Sequence, residues 1–380
     1  MRILLLSGYD AGSHRRWREG LVMGFPEHHW TTLTLPARYF SWRVRGNSLT
    51  WAYSERECLE AGYDLLIATS MVDLSALRGM VPTLAAIPTL VYFHENQFAY
   101  PKSDHQHSSV EPQILNLYSA LCADAVVFNS DYNRQSFLTG VSQLMAKLPD
   151  HVPPGIAERL ADNSVVLPVP LEDRCFDSIE SLHQQPEPIA WRDRDTNKAA
   201  RPLRLLWAAR FEYDKGGERL LLILKALKKQ GVAFELALLG QSFRHSPVVF
   251  DDIAQLFADE LVQFGYEPSL VRFKAYLSQA DIVLSTAIHE FQGLAVLEAV
   301  AAGCIPVVPN RLAYPDFYPA QYRYCSSDQN LATEATAAVD KIVECWRALA
   351  HGDDLRLDVT HYSWSEQKKA YQAALENLFK

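Results

Sequence analysis

Asp281-Ile-Val-Leu-Ser285-Thr-Ala-Ile-His-Glu290-Phe-Gln292-Gly293-Leu294-Ala-Val-Leu-Glu298-Ala-Val-Ala-Ala-Gly303 carries most of the architectural information in this chain of 380 residues. An apolar run of strand character enters a loop, and the loop enters an Ala-rich helix whose end is marked by a glycine. That is the strand–loop–helix unit of a parallel sheet.

The same alternation recurs on both sides of it. Arg2–Ser7, Leu65–Thr69, Thr89–Phe93 and Ala125–Asn129 form a first series of apolar runs separated by helical periodicity. A second series begins at Leu203-Arg-Leu-Leu-Trp-Ala-Ala and continues through Glu235–Leu239, Val271–Lys274, Ile282–Ser285 and Ile305–Val308. Two doubly wound α/β halves follow, an expectation that suits the length. Between them, residues 171–203 are rich in charge, Pro and Gln, which predicts an exposed linker. The expected domains are therefore 1–172, a linker at 173–202, and 203–360. Tyr362-Ser-Trp-Ser-Glu opens a capped amphipathic helix that fills 361–380.

Composition excludes several classes. The chain has 36 Lys and Arg against 45 Asp and Glu, so a basic coat for unspecific nucleic-acid binding is not expected. A local patch is possible. Residues 1–50 hold seven arginines against three acids, a local excess of four positive charges. The six cysteines are widely spaced with no Cys-x-x-Cys, which reads as buried free thiols rather than a zinc site. The first apolar run is too short for a signal-peptide core and no stretch approaches 18 apolar residues, so a cytoplasmic protein without stable membrane association is expected. There is no Gly-x-x-x-x-Gly-Lys-Ser/Thr loop and no Gly-x-Ser-x-Gly elbow, which argues against an NTPase and a serine hydrolase.

In open α/β sheets ligands bind beyond the carboxyl ends of the strands, so two such halves predict a cleft lined by the loops that follow strands. Gly293 and Leu294 open a helix whose free N–H groups and dipole suit a diphosphate. Glu290 and Glu298 flank that start, eight residues apart, or about 12 Å if the span were fully helical. This is comparable to the reach of a nucleotide sugar from hexose to ribose. Glu290 is expected at the sugar hydroxyls and Glu298 at the ribose. Alone, such a pair reads equally well as solvated helix charges; the strand before it and the glycine favour a site.

Leu206-Trp-Ala-Ala-Arg210-Phe-Glu-Tyr-Asp-Lys215-Gly216-Gly217 is a second strand running through a loop into a helix. Arg210 and Lys215 can offset the charge on a departing nucleotide, in place of a metal. Gly240 and Gln241, just past the strand Glu235–Leu239, and Gln292 join the donor candidates. In the first half, Gly8 and Gly12 bracket the loop after the first strand, with Ser13 placed to cap a helix from His14. Gly12 lets backbone approach a ligand, although a glycine used only for the turn is an equal reading.

Arg210 with Lys215-Gly216 and the Glu290-x7-Glu298 frame resemble the retaining GT-B glycosyltransferases of family 4. Phe128-Asn-Ser-Asp-Tyr-Asn-Arg and Val166-Leu-Pro-Val-Pro also stand where such enzymes have late first-domain motifs, so the resemblance spans nearly the whole chain. Met1-Arg-Ile-Leu-Leu-Leu-Ser-Gly-Tyr-Asp-Ala-Gly12-Ser13-His14, Leu35-Pro-Ala-Arg38-Tyr-Phe-Ser-Trp42-Arg43-Val-Arg45-Gly46 and Tyr92-Phe-His94-Glu95-Asn96-Gln97-Phe-Ala-Tyr-Pro narrow it to the tRNA-queuosine α-mannosyltransferase family. The resemblance implies two Rossmann-like domains facing a central cleft, a C-terminal helix returning to the first domain, and no metal or other cofactor. It implies GDP-mannose as the nucleotide-sugar donor and the queuosine nucleoside of tRNA as acceptor, with retention at the anomeric carbon.

His94 follows the strand Leu90-Val-Tyr-Phe and matches the family's histidine at the donor sugar; a lone histidine reads more plainly as a satisfied structural side chain, but Glu95, Asn96 and Gln97 beside it favour a catalytic site. His14, Glu95, Asn96 and Gln97 are placed at the acceptor. Arg38, Trp42, Arg43 and Arg45 are expected to bind phosphates and to stack on unpaired bases, against the alternative of a solvated loop packing one Trp. Lys102-Ser-Asp-His105-Gln-His107 reads as a mobile loop at the same rim, not a metal site. Asp193-Arg-Asp195 imitates the Asp-x-Asp motif of the other major glycosyltransferase fold, but it has no strand before it and is rejected as a site. A lipid, polysaccharide or small-molecule acceptor is the alternative within this class. A non-catalytic tRNA- or nucleotide-sugar-binding protein is the alternative outside it.

Overall fold

A computed structural model describes residues 1–100, 110–177, 191, 192, 197, 198, 200–243 and 246–379. The chain divides into two compact units, Met1–Pro170 with Trp364–Lys380 and Leu171–Ser363. In chain order the first unit holds β1 (Arg2–Asp10), α1 (Gly12–Gly24), β2 (His29–Pro36), α2 (Phe40–Ser54), α3 (Arg56–Leu59), β3 (Leu65–Thr69), α4 (Leu74–Met80), β4 (Thr89–Phe93), α5 (Glu111–Leu121), β5 (Ala125–Phe128), α6 (Asp131–Met145), α7 (Ile156–Asp162) and β6 (Ser164–Val166). Its sheet is six-stranded and parallel, in the order β2-β1-β3-β4-β5-β6.

The second unit holds β7 (Leu203–Ala208), α8 (Gly217–Lys229), β8 (Phe234–Leu239), α9 (Val249–Leu256), β9 (Leu261–Gly265), α10 (Leu270–Gln279), β10 (Ile282–Leu284), α11 (Leu294–Ala301), β11 (Ile305–Pro309), α12 (Tyr314–Phe317), β12 (Arg323–Tyr324) and α13 (Leu331–His351). Its order is β12-β11-β10-β7-β8-β9, again parallel. The central strands β3, β4, β8 and β11 are buried along their whole length, as near-continuous apolar runs covered on both faces must be. All six cysteines are free thiols, but of the six expected to be buried only Cys304 and Cys345 are; Cys58, Cys122 and Cys175 are half-buried and Cys325 is exposed.

The last helix, α14 (Trp364–Glu376), belongs to the first unit. Gly20 of α1 makes room for it: a Cβ there would stand 2.3 Å from the Trp364 indole nitrogen. Tyr371 fixes the contact, because its hydroxyl accepts from the Trp17 indole nitrogen at 3.1 Å and donates to the Pro168 carbonyl at 2.9 Å.

Three expectations of local structure need correction. Val271–Lys274 is helix, part of α10, because Ser269 accepts from Arg272 N and the helix runs on through the buried Ala275, Tyr276 and Leu277. The strand lies earlier, at β9, an edge strand too short and too exposed to show an apolar run. Helix α1 starts at Gly12 with Ala11 before it and no side-chain cap, so Ser13 is inside the helix. The basic stretch Arg38–Arg45 is not a loop but the entry and first turns of α2.

The described end of the expected linker is packed. Trp191 is buried, and Arg201 sends a two-pronged pair to Asp281 at 2.7 and 2.8 Å. Asp281 also accepts from Arg204 N, so it ties the start of β10 to the start of β7. Residues 178–190, Asp193-Arg-Asp195 and Lys102–His107 lie outside the described residues. Both members of the Arg201–Asp281 pair are almost fully enclosed, and removing Arg201 leaves the buried Asp281 carboxylate with the partly exposed Lys198 ammonium, at 3.6 Å, as its counter-charge. Arg201→Met should therefore cost about 3–5 kcal/mol in urea unfolding, and most of that should return in Arg201→Met/Asp281→Leu. Equal losses in the single and double variants would contradict this.

Candidate active site

Two loops at the carboxyl ends of β7 and β10 are knitted together in the second unit. Thr286 Oγ1 accepts from the Trp207 indole nitrogen at 3.0 Å and donates to the Lys215 carbonyl at 2.8 Å. The Asp214 carbonyl accepts from Ile288 N and His289 N. Gly216 completes the fit. Its φ is +72° and a Cβ would lie 2.0 Å from the Thr286 carbonyl oxygen, so only glycine serves there. Gly240 is equally constrained by a close approach, with the Ala209 carbonyl oxygen at 1.8 Å from a Cβ.

These contacts bring Lys215 to Glu290 across 75 residues of sequence. Lys215 Nζ lies 3.1 Å from Glu290 Oε2, 3.1 Å from Asp214 Oδ2 and 3.1 Å from the His289 carbonyl. Burial opposes the ammonium charge, but Glu290 and Asp214 outweigh it, and its pKa stands above the ordinary lysine value. Glu290 is the mirror case. Burial pushes its carboxyl up, Lys215 pulls it down further, and the net result is below the ordinary glutamate value. Both groups are ionised at neutral pH.

Arg210 is about half exposed and pairs with Glu212 at 3.0 Å. Burial raises the Glu212 pKa against the pull of Arg210. Gly293 precedes α11 with φ +78°, a left-handed turn that swings the chain into the helix. Val296 N and Leu297 N already bond to the Gly293 carbonyl, which leaves the N–H groups at the helix entry for other acceptors. Gln292 and Glu298 are buried beside this entry, Leu294 is half-buried, and Gln241 is exposed.

The first unit places His14, His94 and Glu95 together. The two imidazoles stack at 4.0 Å with 17° between their planes, and His14 Nε2 is 3.1 Å from Glu95 Oε2. Trp17 meets His94 edge-on and stacks on Tyr92. His94 is 5% exposed, and neither ring nitrogen has a hydrogen-bond partner among the described residues. Burial, reinforced by His14, holds its pKa well below the ordinary histidine value. Its ring is neutral at physiological pH.

Asn96 is not turned outward as an acceptor contact. Its amide donates to Asn133 and Ser136, and its Oδ1 accepts from Phe98 N and Ala99 N, so it shapes the turn after β4. Gln97 approaches Met71 Sδ at 3.8 Å. Arg45 is tied to Asp73 at 2.8 Å and Glu111 at 2.9 Å. Arg38 and Trp42 are exposed and Arg43 is half-buried. Gly12 has open space around it. Sequence reading missed Asp214 and Glu212, whose signal was only their position within the Arg210–Lys215 loop. It also missed Trp17 and Tyr371, which carry no motif, and the part of Tyr92, which opens the His94 stretch, in packing against them. Among the described residues no group of three or more His, Cys, Asp or Glu side chains is placed to hold a metal ion, and no helix is long and apolar enough to cross a membrane.

Residues 191–355 match the glycosyl transferases group 1 family, and residues 2–171 match the N-terminal domain family of tRNA-queuosine alpha-mannosyltransferase. The sucrose-phosphate synthase of Thermosynechococcus elongatus shares the fold with a TM-score of 0.71 and 14% identity, covering 100% of this chain and 99% of that one. The chain is a glycosyltransferase of the two-domain α/β GT-B class.

It is also 32% identical over 326 residues to the tRNA-queuosine alpha-mannosyltransferase of Drosophila melanogaster, covering 86% of this chain and 84% of that protein. This chain belongs to the tRNA-queuosine alpha-mannosyltransferase family. A shorter likeness, 28% over 105 residues, links it to the GDP-mannose:cellobiosyl-diphosphopolyprenol alpha-mannosyltransferase of Xanthomonas oryzae pv. oryzae, over 27% of this chain and 28% of that protein.

The buried neutral His94 sets a pH dependence with a definite sign. Because its folded pKa is depressed, the unfolded chain takes up a proton near pH 6.5 that the folded ring refuses, so stability is full above that pH and falls below it. Between pH 7.5 and 5.5 the wild type should lose about 1 kcal/mol more than His94→Gln in urea unfolding. Parallel pH profiles would contradict the assignment.

Proposed function

We propose that this chain moves mannose from GDP-mannose to the queuosine nucleoside of tRNA with retention of configuration. The observation that carries the reading is the buried Lys215 ammonium beside Glu290 at the entry to α11, in a chain of this family. The name of the Xanthomonas relative supports the guanosine donor.

In this reading the diphosphate lies against Lys215, Arg210 and the free N–H groups at the start of α11. All three N–H bonds of the ammonium already have acceptors. A diphosphate therefore engages Lys215 by replacing one of them. Glu290 is the one to leave, because the His289 carbonyl is fixed in the chain and Asp214 is the immediate neighbour of Lys215. Once released, its Oε2 can accept from sugar hydroxyls while Oε1 keeps its bond from Phe291 N. Glu298, further along α11, takes the ribose hydroxyls, with Gly240, Gln241, Gln292 and Gly293 around the nucleotide.

The bond between mannose C1 and the diphosphate oxygen breaks with its electron pair remaining on phosphate. Lys215, Arg210 and the α11 entry hold that growing negative charge, which strengthens their attraction as the bond lengthens. The acceptor hydroxyl oxygen forms its bond to C1 on the same face, and its proton passes to the departing phosphate. Two fixed cations do the work that a divalent metal does elsewhere. A neutral His94 can turn one ring nitrogen to a sugar hydroxyl, as donor or as acceptor according to its tautomer.

The test is incubation of the full chain with queuosine-containing tRNA and a panel of nucleotide sugars, followed by mass analysis of the released nucleosides. Hexosylated queuosine with GDP-mannose is expected, with kcat reduced about 10²–10³-fold in Lys215→Ala and at least about tenfold in Arg210→Ala. Transfer to a lipid or polysaccharide and none to tRNA would contradict the acceptor. Near-normal turnover in either variant would contradict the charge roles.

A further inference from the structure

Residues 28–54 contain three arginines and no acidic residue, in a chain whose formal net charge is −9. The stretch ends in α2, whose inner side is locked down. The Asn47 amide donates to the carbonyls of Arg43, Val44 and Met71, and its Oδ1 accepts from Asp73 N. Arg45 is held by Asp73 and Glu111. The entry to α2 is therefore a rigid support.

On that support large aromatic groups face solvent. Tyr39, at the entry, is 72% exposed and has a left-handed backbone (φ 54°, ψ 54°), a conformation that costs a side-chain-bearing residue free energy. The Arg38 guanidinium lies 5.7 Å from the Tyr39 ring centre. Trp42, in the first turn, is 53% exposed. Its indole lies across Gly46: a Cβ at residue 46 would meet ring carbons Cε2, Cζ2 and Cδ2 at 2.4, 2.6 and 2.7 Å. A first-turn residue has no preceding turn to receive its ring, and here the missing side chain of Gly46 supplies the seat. Glycine inside a helix costs roughly 0.5–1 kcal/mol relative to alanine, so its presence needs a reason.

We infer that Gly46 seats the Trp42 indole flat on α2 so that its outer face, with the Tyr39 ring and the Arg38 guanidinium, forms a stacking surface for unpaired bases of the tRNA acceptor. The inference rests on the tRNA reading above and adds Tyr39 and Gly46 to it, while assigning Arg45 to holding α2 in place. The occupant is a polyanion with exposed bases because cations and bare aromatic faces occur here together without carboxylates in the same segment. A pre-seated indole loses little freedom on binding.

The test is equilibrium binding of queuosine-containing tRNA to the full chain, together with KM for the nucleotide sugar, in the wild type, Trp42→Ala, Gly46→Ala and the double variant. Trp42→Ala should weaken tRNA binding about tenfold and leave the nucleotide-sugar KM within about twofold. Gly46→Ala improves helix propensity and so should not unfold α2, yet it should weaken tRNA binding at least about threefold by displacing the indole. In the Trp42→Ala background Gly46→Ala should have no further effect, a non-additivity that a general loss of structure does not produce.

Unchanged tRNA binding in Trp42→Ala, or additive losses in the double variant, would overturn the inference. So would restoration of Trp42-dependent binding to anionic vesicles, or to a second copy of the chain, in place of tRNA. A wild type that binds no such tRNA would defeat the acceptor reading itself, and this surface with it.

Discussion

The candidate site of the second unit is organised around one largely enclosed cation. Lys215 is enclosed by two carboxylates and a carbonyl, and the same contacts hold the loop after β7 against the loop after β10. An ammonium taken out of water needs such company, since burial alone would drive it toward its neutral form. The Gly216 contact with the Thr286 carbonyl shows how little space the arrangement leaves. Charge, loop conformation and the entry to α11 are thus set together.

This arrangement suits catalysis by charge stabilisation. The cation is fixed before the substrate arrives, so the protein does not have to reorganise as negative charge develops on the leaving group. In the proposed function a diphosphate takes the place of Glu290 at the ammonium, which frees that carboxylate for the sugar. Arg210, more exposed and held by Glu212, stands in the same loop as the second cation. The first unit works by a different principle: the His14–His94 stack is buried against Trp17 and Tyr92, which keeps His94 neutral, and Trp17 and Tyr92 in turn hold Tyr371 of the returning helix α14.

The sequence was most informative where a period change and a glycine coincide. Asp281–Gly303 reads as strand, loop and helix because the apolar run, Gly293 and Gly303 each mark a boundary, and the structure follows them with β10, Gly293 in a left-handed turn and α11. Val271–Lys274 misled because four residues of alternating character fit either period, and the capping Ser269 decided for helix. Edge strand β9 was illegible for the opposite reason, since partial exposure leaves no continuous apolar signal. The site was legible as residue types but not as partnerships. Nothing local links Lys215 to Glu290, and nothing at all links Trp17 to Tyr371 across 354 residues. Those pairings arise from sheet order, which is a property of the whole fold.

The account stands on Lys215 as the group that recognises a diphosphate. Calorimetric binding of GDP and of GMP to the wild type and to Lys215→Met measures this without turnover. The wild type should prefer GDP by at least about tenfold, and the preference should largely vanish in Lys215→Met while GMP affinity stays nearly constant. An undiminished preference for GDP in the variant would show that the diphosphate is held elsewhere, and the account would be wrong.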